Sequence, residues 1–365
     1  MNKLRWLVAG VAAVSLLAAC GGASTSGSSG GSSPFKAAWI YVGSPNDAGW
    51  THAHDVGRQM VQKELGNKVQ TIYKSNVPEG PQVGQVIDDL VRQGAKIIFA
   101  TSFGFQPAVV AAAKKYPNVY FEQATGTAMA HNLSEYFGAG EDGDYLSGLA
   151  VGGAAKNNRI GFVAPFPIPE VIREINAYTL GARTMDPSAT VRVVWTNTWF
   201  DPAKERQAAQ SLISAGVGGI GDGQDSPTTG QVAAQAGVPW TGYDSNQESF
   251  APNVWLTATT YNWGPYYVRE VKAAMNKTWK SHFYYGSLRD GLIKLAPFGK
   301  SVDSKTRAAI LKKESQLKKG TFYQFEGPLK DQQGKIRVPA GKRLSVKDLY
   351  RMNWFVQGVI GSPQG

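Results

Sequence analysis

Asp47 and Trp50 stand three positions apart in Gly43-Ser44-Pro45-Asn46-Asp47-Ala48-Gly49-Trp50, directly after the apolar run 37–42. A carboxylate, the Asn46 amide and an indole plane on one short loop suit a flat, nitrogen-rich molecule. The carboxylate accepts from ring N–H groups and would repel a phosphate. Aromatic and short polar side chains gather in the same way after four other apolar runs: Ser102 with Phe103, Trp199 with Phe200, Gln224 with Asp225, and Tyr243 with Asp244. Two aromatic planes facing each other across a cleft would sandwich a ring, each stack contributing about 1–3 kcal/mol.

Other chemistries find less support. Gly138-Ala139-Gly140-Glu141-Asp142-Gly143 matches the dinucleotide fingerprint but carries acids where a pyrophosphate needs neutral donors. Gly216-Val217-Gly218-Gly219-Ile220-Gly221 lies between a predicted helix and strand, the reverse of the required order. His52 and His54, two apart on a predicted helix, point in different directions, so no metal is expected. Outside the Gly/Ser-rich stretch near the N-terminus there is no Gly-x-Ser-x-Gly, and the chain has no His-Glu-x-x-His or P-loop. These absences argue for a binder over an enzyme, and no cofactor is expected.

Elements must bring these loops together. From Ala37 short β-rich runs alternate with helical patterns: strands at 37–42, 69–73, 97–100 and 119–122, and helices at 51–65, 78–93 and 107–116. A second series holds strands at 160–164, 191–195, 218–221, 239–243 and 254–258, with helices at 169–185 and 203–214. Regular alternation predicts an α/β protein of two lobes, each a mostly parallel sheet flanked by helices, with the strand ends facing a common cleft. The remainder, with a helix at 263–275, a strand at 292–295, a charged helix at 304–319 and a hairpin around Gln332-Gln333-Gly334, is expected to pack back on both lobes. The expected partition is 36–157 with 259–285 as lobe 1 and 158–258 with 286–365 as lobe 2, hinged near Asn157, Ala258 and Tyr285.

The formal charge is +11, with much of the excess in the C-terminal third, as at Lys312, Lys313, Lys318 and Lys319. Along one helix this reads as a solvated face, and no nucleic-acid partner is expected. Residues 1–19 read as a signal peptide: Lys3 and Arg5 precede the apolar run 7–17, and Leu17-Ala18-Ala19-Cys20 resembles a bacterial lipobox. Cys20 is the single cysteine, so lipid attachment is its expected role, and 20–35 should act as a flexible tether on the extracytoplasmic face of a membrane.

Asn46-Asp47-Ala48-Gly49-Trp50-Thr51, Thr101-Ser102-Phe103-Gly104-Phe105, Asn197-Thr198-Trp199-Phe200-Asp201-Pro202, Asp225-Ser226, Asn262-Trp263-Gly264-Pro265-Tyr266-Tyr267, Phe325-Glu326-Gly327-Pro328 and Met352-Asn353-Trp354-Phe355 together resemble the basic membrane protein family. These are lipoproteins that serve as substrate-binding components of ABC importers. The resemblance runs from about 37 to 361. It implies a type I periplasmic-binding-protein fold, a monomer, a permease and ATPase as partners, and a purine base or nucleoside held between lobes. Carried over, Trp50 and Trp199 or Phe200 become the stacking pair, and Asp47 and Asp225 the partners of ring nitrogens. Ser102, Phe103, Tyr243, Asp244 and Tyr261 complete the expected site. Nucleoside binders of the family carry a lysine after the Leu-Thr strand, whereas Leu256-Thr257-Ala258-Thr259-Thr260 leads to Tyr261 here. That departure favours a free base such as adenine. Gly223, where related sequences carry histidine, is a second departure bearing on which purine is accepted.

Overall fold

The computed structural model describes residues 33–365, so the signal peptide, Cys20 and most of the expected tether lie outside the described residues. The first lobe is built from β1 (Phe35–Ile40), α1 (Trp50–Leu65), β2 (Val69–Lys74), α2 (Gln82–Arg92), β3 (Ile97–Ala100), α3 (Gln106–Lys115), β4 (Tyr120–Ala124) and β5 (Leu133–Gly138). Helix α4 (Gly140–Ala154) leads to β6 (Arg159–Ala164), α5 (Pro169–Met185), β7 (Thr190–Trp195), α6 (Pro202–Ser214), β8 (Gly219–Asp222), α7 (Thr228–Ala236), β9 (Trp240–Gly242) and β10 (Trp255–Tyr261). The chain then adds α8 (Gly264–Met275), β11 (Phe283–Gly286), β12 (Ile293–Leu295), α9 (Ser304–Lys319), the hairpin β13 (Leu329–Lys330) and β14 (Ile336–Val338), α10 (Val346–Leu349) and β15 (Val359–Ile360).

Two sheets result. The first has the order β11-β5-β4-β3-β1-β2 and is parallel throughout. The second, β12-β10-β9-β8-β6-β7-β15, is parallel except where β12 meets β10. Both sheets are covered by helices, which is why β3 and most of β1, β6 and β8 are buried apolar runs without alternation. The tail does return to both sheets: β11 closes the edge of the first, and β12 and β15 flank the second. Thr259, Thr260 and Tyr261 pair with β12, so the return crossing to the first sheet begins after Tyr261, three residues beyond the expected hinge at Ala258.

Helix α4 is the element for which the 125–157 stretch showed no readable signal. It is buried continuously from Gly140 to Val151, with glycines at 140, 143, 148, 152 and 153. The glycines of the apparent dinucleotide fingerprint serve packing: a Cβ on Gly143 would lie 2.5 Å from the Thr259 side chain. Against α5 the approach is backbone to backbone. A Cβ on Gly148 would sit 2.1 Å from the Tyr178 carbonyl oxygen, and one on Gly181 2.0 Å from that of Tyr145. The acids at the start of α4 are also used internally. Asp142 accepts from Gln324 at 2.9 Å and Asp144 from Thr259 at 2.7 Å.

Two outcomes follow from this packing. Gly148→Ala should lower unfolding free energy by about 2–3 kcal/mol, because backbone must move to admit the methyl group. Gly84→Ala on α2, where nothing lies within 4 Å, should instead raise it by about 0.5–1 kcal/mol; urea titration of both variants checks the contrast. Burial pushes Glu122 and Asp144 up to about 8 and Asp142 up to about 7, so the folded chain keeps protons that the unfolded chain releases near pH 4. The stability this confers is complete below that range and is lost as pH rises through 7–8. Calorimetry should therefore give a melting temperature several degrees lower at pH 8.5 than at pH 5.5.

Candidate functional site

The carboxyl ends of both sheets meet at a cavity lined by Val42, Trp50, Ser102, Phe103, Thr125, Glu170, Trp199, Asp225 and Tyr243. Six of the ten residues expected at the site therefore share one cavity: Trp50, Ser102, Phe103, Trp199, Asp225 and Tyr243. The lobes are in contact over it. The Ala48 carbonyl, in the loop after β1, accepts from Ser245 Oγ at 2.5 Å and Gln247 Nε2 at 3.0 Å, both in the loop after β9. Gly49 lies so close to the Asp225 backbone that a Cβ there would be 2.4 Å from the Asp225 carbonyl oxygen.

Strain collects in these loops. Six non-glycine residues among those described have positive φ, and four of them, Ala48, Thr125, Asn197 and Asp244, follow strands β1, β4, β7 and β9 at the cleft. Such backbone costs free energy and persists where surrounding contacts over-determine it.

Trp50 is 8% exposed and fixed from three sides. Its Nε1 donates to the Thr101 carbonyl at 2.6 Å, and its ring meets the edges or faces of His54, Tyr261 and Trp263 at centroid distances of 4.3, 5.6 and 5.7 Å. His54 is buried, and burial pushes its imidazole well below the usual value, so it packs as a neutral ring beside the Tyr267 hydroxyl at 2.5 Å. His52, by contrast, faces the Pro45 carbonyl, and the two histidines do not converge. Opposite, Trp199 packs edge to face against Phe166 at 5.2 Å. Phe103 is 45% exposed and reaches into the cleft from lobe 1.

The polar groups divide by role. Asp225 is 4% exposed, and no donor among the described residues reaches its carboxyl; burial, then the charge of Asp47, pushes its pKa well up. Tyr243 donates to Glu174 at 2.9 Å and shares a 3.0 Å contact with the Tyr261 hydroxyl. Ser102 Oγ donates to Glu79 at 2.6 Å, tying the loop after β3 to that after β2.

Four expected residues stand elsewhere. Asp47 does not line the cavity: its carboxylate accepts from the backbone N–H groups of Gly49, Thr51 and His52 at 2.9, 3.1 and 2.9 Å, capping the start of α1. Burial raises its pKa and those three bonds oppose the rise. Phe200 points outward, 46% exposed, which leaves Trp199 as the aromatic of that loop. Tyr261 lies behind Trp50, stacked on Trp263 at 5.1 Å and 4°. Asp244 is 1% exposed with neither carboxyl oxygen bonded.

Three lining residues were not anticipated. Val42 closes the run before the Gly43 loop. Thr125 follows β4 with a left-handed backbone and an unbonded hydroxyl. Glu170 stands in the first turn of α5, and burial pushes its carboxyl up to about 7. The signal for Glu170 was an acid just inside a helix that follows a strand end, the position from which a side chain faces a crevice.

The Bmp family model, described as ABC transporter substrate-binding protein PnrA-like, matches residues 35–324. A purine-binding protein of Brucella abortus is 40% identical over 324 residues, covering 89% of this chain and 92% of that protein. A protein of Haloferax volcanii, provisionally named an ABC transporter glucose-binding protein, is 36% identical over 283 residues, covering 77% and 72%. Among solved structures, a solute-binding protein of an ABC transporter system from Aeropyrum pernix aligns with a TM-score of 0.70 at 15% identity, covering 82% of this chain and 93% of that one, a likeness of fold. With the family model spanning both sheets and close relatives aligned along most of its length, the chain belongs to the Bmp family of ABC transporter substrate-binding proteins, which bind and are not enzymes.

Proposed function

We propose that this protein captures a purine between its lobes and presents it to an ABC permease. The observation that carries the reading is the closed cavity itself: aromatic side chains from both lobes, Trp50 and Phe103 against Trp199, with the free carboxyl of Asp225 at the edge. A purine between those planes gains stacking on both faces, and Asp225 accepts one of its ring or amino N–H groups. Ligand draws the lobes together because only the closed form brings both walls onto it, with the bonds to the Ala48 carbonyl completing the closure.

A free base is favoured over a nucleoside. The position after the Leu-Thr strand is filled by Tyr261, whose hydroxyl is engaged with Tyr243. The purine-binding relative from Brucella supports the ligand class. Titration calorimetry against adenine, guanine, hypoxanthine, adenosine and glucose tests it: a base should bind tightest, and Trp199→Ala should weaken it about tenfold or more without changing the melting temperature. Binding of glucose alone would overturn the purine reading.

We also propose that Cys20 carries a lipid that holds the body to the membrane. No described helix is long and apolar enough to cross a bilayer, and the Gly/Ser-rich segment after Cys20 has the composition of a tether. Cys20→Ser should move the protein from the membrane fraction to the soluble fraction.

A further inference from the structure

The cavity is walled by four aromatic side chains, Trp50, Phe103, Trp199 and Tyr243, and by the carboxyl groups of Asp225 and Glu170, with no lysine, arginine or histidine among its lining. No described donor reaches either carboxyl. Arg173, which lines the adjoining depression with Glu170, is taken up by Glu141 at 3.3 Å and lies against the rings of Phe137 and Tyr350 at 5.2 and 5.4 Å. The charges that act most strongly on Asp225 are acids, Asp47, Glu205, Glu170 and Glu79, with the unbonded Asp244 beside them. Around Glu170 stand Arg173, Glu79 and Glu141.

A site so lined has a definite electrostatic preference. Aromatic faces attract cations, and unpaired carboxylates in a low-dielectric setting do so more strongly. A neutral guest offers nothing to balance an ionised Asp225 or Glu170. A cationic one does.

We propose that the cavity is charge-selective, binding a positively charged nitrogen heterocycle, such as an N-alkylated purinium, more tightly than its neutral isostere. This rests on the purine reading for the shape of the guest and goes beyond it in charge. Burial favours the protonated form of both carboxyl groups when the guest is neutral. A cation favours the carboxylate, so a carboxyl O–H that still holds its proton releases it to solvent as the carboxylate pairs with the guest.

The test is titration calorimetry of the full chain at pH 7 with 9-methyladenine and with 7,9-dimethyladeninium, each in two buffers of different ionisation enthalpy. Quinoline and N-methylquinolinium form a second neutral and cationic pair outside the purines. The cation should bind about tenfold tighter than the neutral partner, with buffer-dependent heat that reports proton release. Asp225→Asn should bring the affinity ratio close to one and reduce the released proton, while Phe200→Ala, on an outward-facing side chain, should leave both unchanged. If neutral 9-methyladenine binds as tightly as the cation, the inference is overturned while the purine reading stands. If only the quinolinium binds, charge selectivity holds and the purine reading falls. Silence from all four ligands overturns both.

Discussion

The site depends on one close approach, Gly49 against the backbone of Asp225. A Cβ on Gly49 would stand 2.4 Å from the Asp225 carbonyl oxygen, so only glycine lets the loop after β1 reach the loop after β8. That contact sets the separation of the lobes. It brings the Ala48 carbonyl to Ser245 and Gln247, aims Trp50 and Trp199 into one cavity, and seals Asp225 away from water. The left-handed backbones of Ala48 and Asp244 belong to the same junction, one on each side. Strained loops are tolerated here because closure over-determines them.

Behind the cleft the two walls differ in how they are held. Trp50 stands on a buried aromatic cluster in which Trp39, His54, Trp263 and Tyr267 pack ring against ring, and Asp47 fixes the helix from which it projects. Trp199 has a single aromatic neighbour, Phe166, on its own lobe. Tyr261, at the end of β10, joins the two: it stacks on Trp263 below Trp50 and contacts the Tyr243 hydroxyl, which in turn donates to Glu174 of α5.

Much of this was legible in the residues. Strands such as β3 and β6, short apolar runs ending at Gly, Pro and Asn, declare a parallel α/β sheet, and the aromatic and polar pairs at their ends mark the cleft. The stretch 125–157 was opaque for a physical reason. Helix α4 is buried on all sides, so it has no polar face to set a 3.6-residue period, and its five glycines lower helix propensity where packing against α5 requires them. Helix α7, nine residues with Thr228, Thr229 and Gly230 at its start, was too short to stand out. At the site, residue type pointed to Asp47 as a ligand partner, but position makes it a cap: a carboxylate just before a helix finds free backbone N–H groups first. Asp225 has no such donors in reach among the described residues. Sheet membership of Thr259 to Tyr261 was likewise hidden, because their pairing with β12 depends on a segment more than thirty residues away.

The central claim is that the closed cavity holds a purine. The most direct measurement is mass spectrometry of small molecules released by denaturing the protein after purification from its own cells without added ligand. A purine base or N-alkylated purine released in near-stoichiometric amount, and absent from the Trp199→Ala protein, is the predicted result. Release of a sugar or an amino acid in its place would contradict the account.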